Sequence, residues 1–349
     1  MRIRAALVEA AGGPFVPRDV ELAGPGDGEI LVRIEAAGIC HTDLAMRGRW
    51  PAARLPMIFG HEGAGVVAAV GSGVTTVAVG DRVCLSFRSC GACSECRLGQ
   101  PAYCLRGELN TRGATGLVSR DGQPVFSGFF GQSSFSTHAI AYETNTVPIP
   151  ADLPAELAAP LGCGVQTGAG TVLNVLDPAP GDRILIFGGG GVGLSALLAA
   201  LTRSCVVTVV EPRPARRELA LSLGAADAVE PGAPLPSAHH ALDTTGRSDA
   251  IEAALASLRR RGTLALVGMG GAASFDIMTV MAGGLRIRGV IEGDASPADF
   301  LPHLIDLHRA GRFPLEKLIT TYPFADIEQA ATDMLAGHTI KPVLTFNSR

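Results

Sequence analysis

Over the first 150 or so positions, apolar and polar residues alternate in short runs, as in Ile30-Leu31-Val32-Arg33-Ile34 and Gly65-Val66-Val67-Ala68-Ala69-Val70. Turns rich in Gly, Pro and Asp, such as Ala23-Gly24-Pro25-Gly26-Asp27-Gly28, separate them, and Met1 to Glu9 alternates in the same way. Period-two patterning between such turns predicts strands, here a compact β-barrel-like domain. From about residue 165 the texture changes. Strands are expected at Arg183 to Phe187, Val206 to Val210, Ala241 to Thr244, Thr263 to Val267 and Leu285 to Val290. Amphipathic helices lie between them, among them Ala215 to Leu223, stopped by Gly224, and Ser248 to Leu258, stopped by Gly262. Strands alternating with helices predict an α/β doubly wound parallel sheet. A helix near Pro297 to Ala310 and a β segment from Lys341 to Phe346 follow, and this tail is expected to return to the first domain. The expected domains are therefore 1–164, 165–291 and a returning segment 292–349.

The chain has 349 residues, enough for two domains that each bury a core. Its formal net charge of −4 gives no footprint for nucleic acid or an anionic membrane. Ile184 to Leu201 is uncharged and reaches the lower length of a membrane span, but five of its residues are glycine and a glycine turn divides it into strand and helix. The amino terminus lacks the apolar core of a signal peptide, so a cytoplasmic protein is expected. In that compartment eight cysteines point to metal or catalysis rather than disulfides.

Cys90, Cys93, Cys96 and Cys104 follow the spacing C-x2-C-x2-C-x7-C. Closely spaced thiolates of this kind can hold zinc or an iron-sulfur cluster. A closed four-sulfur site leaves no position for substrate, which argues for structural zinc in a lobe spanning about 88–106. Cys84 and Cys205 lie in apolar runs and read as core. Cys40-His41-Thr42-Asp43 and Gly60-His61-Glu62 add further candidate ligands, as does the glycine-flanked Cys163. Gly188, Gly190 and Gly193 form G-x-G-x-x-G between an expected strand and helix, the context that makes this motif a dinucleotide cradle. Glu211 ends the next strand, where an acidic side chain accepts the adenosine ribose hydroxyls and repels a 2'-phosphate. NAD is therefore expected, although Arg213, Arg216 and Arg217 stand close enough to accept that phosphate in NADP.

In order and approximate spacing, Gly38-Ile39-Cys40-His41-Thr42-Asp43, Gly60-His61-Glu62, the four-cysteine lobe, Gly162-Cys163-Gly164 and the glycine loop resemble the zinc-dependent medium-chain alcohol dehydrogenases, across essentially the whole chain. The resemblance implies a GroES-like β-barrel catalytic domain plus a Rossmann cofactor domain. It implies two zinc ions per chain: a catalytic one on Cys40, His61 and Cys163, the Cys₂His set known for alcohol dehydrogenase, and a structural one on Cys90, Cys93, Cys96 and Cys104. Asp43 would orient His61, Glu62 would lie near the metal, and Thr42 would take the alcohol's proton. His41, Thr167, Gly188, Gly190, Gly191, Val192, Gly193, Glu211 and Lys341 would contact the NAD, with His41 and Lys341 near its pyrophosphate. Some relatives carry a relay histidine three residues after the hydroxyl; here that position is Ala45. His138, His239, His240, His303, His308 and His338 match no functional position.

Leu161 to Gly170 and Phe129-Phe130-Gly131-Gln132-Ser133-Ser134-Phe135 look most like the aryl-alcohol (benzyl alcohol) branch, whose relatives also oxidise allylic terpene alcohols. The expected reaction is hydride transfer between such a small-molecule alcohol and NAD, in a homodimer or homotetramer. Competing readings are a broad aliphatic alcohol dehydrogenase, a zinc-free quinone or enone reductase, which would not need the cysteine and histidine set, and a non-catalytic NAD-sensing zinc protein.

Overall fold

The computed structural model describes Met1 to Phe346; the last three residues of the segment expected to return lie outside the described residues. By contacts the chain divides into two units, one made of Met1–Cys163, Ser296–Pro302 and the chain from Leu315, the other of Gly164–Ala295 and His303–Pro314.

The first unit is mostly β. Arg2–Val8, Val16–Leu22, Ala114–Arg120, Gln123–Ser127 and Met57–Ile58 close into a small barrel. A second sheet runs Thr146–Pro148, Arg82–Leu85, Gly63–Val70, Glu29–Gly38, Lys341–Thr345 and Ile319–Pro323, with His138–Tyr142 also paired to Glu29–Gly38. Alternation along Glu29–Gly38 buries Ile30, Val32 and Ile34 on one face, as period-two patterning requires. Lys341–Thr345 pairs antiparallel with the same strand, Val343 opposite Gly38. In the core that joins Ala6 and Val8 of the barrel to Ile30, Val32 and Ile34 of the second sheet lies an aromatic knot. Phe59 meets Trp50 at 5.3 Å and Phe129 at 5.1 Å between ring centroids, both edge to face, and Phe15 meets Phe135 at 5.3 Å. Edge-to-face packing aligns the positive ring edge with the negative face, so the cluster is directional as well as apolar. It fixes the chain just before His61.

The second unit is a six-stranded parallel sheet in the order Asp227–Val229, Val206–Val210, Arg183–Phe187, Ala238–Asp243, Leu258–Leu266 and Arg286–Gly289. Counted within the unit this is 3-2-1-4-5-6, the order of dinucleotide-binding sheets. Ile184 to Phe187 are all buried, because helices cover both faces of such a sheet and leave no polar side. Helix Ser248–Ser257 stops one residue before its expected end, since Leu258 already opens the next strand, and Arg261 at φ 64° interrupts that strand's register. Among the described residues no helix is long and apolar enough to cross a membrane, and Ile184 to Leu201 divides into strand and helix.

Candidate metal centre and dinucleotide loop

The first site is built around one carboxylate. Asp43 lies in the first turn of helix His41–Arg49 and is fully buried. Its Oδ2 accepts the Cys40 backbone N–H at 3.0 Å, which caps the helix. Its Oδ1 accepts Gly60 N–H at 3.1 Å and meets His61 Nδ1 at 2.9 Å. A carboxylate only accepts, so His61 carries its proton on Nδ1 and turns the Nε2 lone pair away. That Nε2 is buried without a hydrogen-bond partner. Burial opposes the charged imidazole, but Asp43 and Cys40 outweigh it and raise His61 well above the usual histidine range, so a cation would compete with a proton for Nε2.

What faces the nitrogen is a donor set. Cys40, His61, Glu62 and Cys163 each present a ligand atom, all within 4.8 Å of one another. A hydrogen bond from Cys163 pulls the Cys40 thiol well below its ordinary value against burial, aided by the charges of Lys341 and His61. Cys84 behaves oppositely: buried beside the Glu62 charge, with Ala158 O 3.2 Å from its sulfur, it is raised and stays a thiol. Gly162 explains the glycine before Cys163, because a Cβ there would run into Leu85 O, and Ser86 Oγ donates to Gly162 O at 2.6 Å. A buried imidazole nitrogen opposite two ionisable sulfurs fits a zinc-type cation, which would take the place of the proton there.

Lys341 is 4% exposed, with Nζ 2.7 and 2.9 Å from the two Glu62 oxygens and 3.4 Å from Ile39 O, a carboxylate partner that its expected place near the pyrophosphate does not indicate. Burial would neutralise the ammonium, but Glu62 and the two cysteines hold its proton more tightly than in water. The reason is register: pairing Val343 with Gly38 carries Lys341 to the end of the strand that leads into Cys40. His41 is exposed at the first helical position, and half-buried Thr42 has its Oγ1 3.7 Å from Cys40 Sγ.

The structure adds residues that local pattern could not assign. Gln132 donates to His61 O and Ser86 O, both at 2.9 Å, and accepts Gly63 N–H at 3.1 Å, clamping both sides of the His61-Glu62 pair. Phe130, held at φ 52°, lays its ring 4.6 Å from the His61 ring. Their partners lie tens of residues away in sequence, and only the Phe129–Phe135 run hinted at them.

Cys90, Cys93, Cys96 and Cys104 form a second donor set. Sulfur separations are 3.5 Å for Cys93 and Cys96, 3.9 Å for Cys90 and Cys96, and 4.0 Å for Cys93 and Cys104. A tetrahedron with metal–sulfur bonds of about 2.3 Å has edges of about 3.8 Å, so this spacing fits zinc. Backbone N–H groups of Cys96 and Leu105 bring the Cys93 thiol down to about 6.

In the second unit, Gly188 sits at φ 103° and a Cβ on Gly193 would meet Gly188 O, so the turn needs both glycines. Gly190 caps helix Gly191–Thr202, which Val192 and Gly193 continue. Glu211 is 4% exposed, its Oε2 accepting Gly189 N–H at 2.7 Å and its Oε1 Arg213 N–H at 3.0 Å. Arg217 donates to Glu211 O at 2.8 Å, and Arg216 is half-buried near Gly190. Thr167 Oγ1 lies 3.4 Å from Glu292 Oε2.

Removing one partner of the Glu62–Lys341 pair strands a buried charge. Lys341→Met is expected to destabilise the first unit by about 3–5 kcal/mol, and the double variant Glu62→Gln, Lys341→Met to recover most of that loss. Urea unfolding of the three proteins measures both, and a double variant no more stable than the single one would show that the pair is not the cause.

Two family models match the chain: the alcohol dehydrogenase GroES-like domain over residues 26–151 and the zinc-binding dehydrogenase domain over 191–308. A geraniol dehydrogenase of Castellaniella defragrans is 44% identical, the match covering 98% of this chain and 97% of that one. A crystal structure of an alcohol dehydrogenase zinc-binding domain protein from Burkholderia ambifaria superposes with TM-score 0.97 at 39% identity, covering 100% of both chains. The benzyl alcohol dehydrogenase of Acinetobacter calcoaceticus superposes with TM-score 0.94 at 38% identity, over 99% of this chain and 100% of that one. With both family domains in sequence and its whole length matched, the chain belongs to the zinc-type medium-chain alcohol dehydrogenases.

Proposed function

We propose that the chain oxidises primary aromatic or allylic alcohols, of the benzyl, cinnamyl, geraniol or perillyl type, to aldehydes with NAD, in the cytoplasm. The observation that carries this reading is the buried, unpartnered His61 Nε2 set against Cys40 and Cys163. The names of the geraniol and benzyl alcohol relatives support the substrate class. So does Phe130, whose flat apolar ring beside His61 suits a conjugated substrate. Eight free cysteines suit a reducing compartment.

Cys40, His61 and Cys163 would hold the catalytic zinc, and Cys90, Cys93, Cys96 and Cys104 a structural one. Bound zinc acidifies the alcohol and bound NAD accepts the hydride. The protein's own residues do the rest. Asp43 keeps His61 in the Nδ1–H tautomer. Thr42 receives the alcohol's proton from beside Cys40. Ala45 offers no onward group, so the proton leaves through water or the exposed His41. Lys341 balances Glu62 and keeps a buried charge beside the donor set compensated. The cradle from Gly188 to Gly193 would hold the pyrophosphate, with Thr167 toward the nicotinamide end. Glu211, its carboxylate already ordered by Gly189 and Arg213, would take the ribose hydroxyls and favour NAD over NADP.

The partner is a second copy of the chain. Arg286–Gly289 is an edge strand of the six-stranded sheet. Beside it, Ile277 is 74% and Met281 65% exposed on a helix with no buried residue. An open edge next to an apolar patch favours pairing, here as a homodimer or homotetramer. Ile277→Glu with Met281→Glu is expected to yield monomer by light scattering; an unchanged oligomer would exclude this surface.

The reading as a whole is tested by NAD reduction on a panel of benzyl, cinnamyl, geranyl, perillyl, aliphatic and polyol substrates, with NADP in parallel and metal counted per chain. Preference for the first four with NAD, and about two zinc per chain falling to about one in Cys163→Ser, is expected. Preference for ethanol or a polyol would overturn the substrate class. For the proton step, Thr42→Ser should keep most turnover and Thr42→Val lose on the order of 10²-fold. Near-normal turnover in the valine variant would remove Thr42 from the mechanism.

A further inference from the structure

The segment after the edge strand Arg286–Gly289 is strained. Glu292, Gly293 and Asp294 take φ values of 50°, 68° and 49°, so three consecutive residues, two of them with side chains, have left-handed φ. Such a backbone persists only where its surroundings over-determine it, and strain of this kind collects at functional sites. Here the clamps are visible. Asn174 Nδ2 donates to Gly293 O at 3.0 Å, the Gly293 backbone lies against Gly170, and the nearly buried Asp294 side chain pairs with Arg288. What they hold in place is the Glu292 carboxylate. Its Oε2 accepts Gln166 Nε2–H at 2.9 Å and lies 3.4 Å from Thr167 Oγ1.

Topology says which end of a dinucleotide this carboxylate serves. Ligands bind at the carboxyl ends of parallel strands, with the pyrophosphate at the glycine loop and the adenosine ribose at the acidic residue ending the neighbouring strand. That residue is Glu211, on the Val206–Val210 side of Arg183–Phe187. The other half of the cofactor therefore extends over Ala238–Asp243, Leu258–Leu266 and Arg286–Gly289, and the last of these leads into Glu292. Thr167 and Gln166 belong to helix Gly164–Gly170, which packs on the first turns of the glycine-loop helix: a Cβ on Gly168 would meet Ala196 N at 2.9 Å.

We infer that Glu292 is a charge-selective residue for the nicotinamide, favouring its oxidised, cationic form over the neutral reduced form. The inference rests on the NAD reading above. A fixed negative charge attracts the pyridinium ring and gains nothing from the dihydropyridine, and in a site shielded from water the difference grows. Hydride arrival removes the ring's positive charge and with it the attraction. Glu292 thus strengthens binding of the cofactor form that starts alcohol oxidation and leaves the product form less tightly held.

The test titrates NAD⁺ and NADH separately, by calorimetry and without alcohol, into zinc-loaded wild-type, Glu292→Gln and Glu292→Ala proteins. Glutamine keeps an acceptor for Gln166 and Thr167 while removing the charge. The expected result is an NAD⁺ Kd raised about tenfold in Glu292→Gln with the NADH Kd within about twofold of wild type. Glu292→Ala should move the ratio of the two in the same direction, whatever it does to both. Equal weakening of both forms, or no change, would overturn the inference, since a purely structural clamp treats the two alike. Wild-type protein that binds neither form would overturn the dinucleotide reading, and the inference with it.

Discussion

One buried carboxylate holds the first unit's chemistry together. Asp43 has no exposed surface, and a carboxylate taken out of water costs several kcal/mol unless its oxygens are satisfied. Three groups satisfy it: Cys40 N–H, Gly60 N–H and His61 Nδ1. Each comes from a part of the chain that must then be in its final place, namely the start of the helix, the turn after Phe59, and the imidazole itself. Folding that burial fixes which nitrogen of His61 faces Cys40 and Cys163. The aromatic knot below and the Gln132 amide beside it act on the same few residues from other directions, so the ring's orientation is set by packing, hydrogen bonding and charge together.

Much of this was readable in the chain because its signals are local. Strand–glycine turn–helix needs only about ten consecutive residues, and the four cysteines of the lobe fall within fifteen positions, Cys90 to Cys104. The parallel strands stood out as continuous apolar runs bounded by turns. Long-range partners did not. Lys341 is a lone cation in a short β segment, and nothing nearby in sequence says that it will face Glu62; strand register decides that. The strand Asp227–Val229 is three residues long, too short for a period to show, and helix Ile277–Gly283 has no buried face and so no amphipathic pattern. The same holds for Glu292, whose meaning comes from backbone strain and from residues some 125 positions away.

The cysteines show how little residue type alone decides. Cys40 is half-buried and Cys84 buried within one unit, and neighbours drive the first toward thiolate and leave the second protonated. A candidate cation site arises where a second thiol, an oriented imidazole and a lysine converge, and a neutral core residue where a carbonyl and a carboxylate do. The four-cysteine lobe works differently again. Its sulfurs are drawn together by short loops and backbone N–H groups in a stretch with little apolar interior, so an ion held there would substitute for the hydrophobic packing the rest of the unit has.

The Glu62–Lys341 contact spans 279 positions, and a ribosome makes those positions in order. Cys40, His61, Glu62 and Cys163 all emerge before the parallel sheet is translated, whereas the lysine and its strand come after. Throughout that interval the nascent first unit lacks the ammonium that Glu62 meets in the finished fold and the strand that pairs Val343 with Gly38. It therefore reaches its finished state only after the entire nucleotide-binding unit has been synthesised, which makes the insertion of one unit within the other a timer on the completion of the metal site.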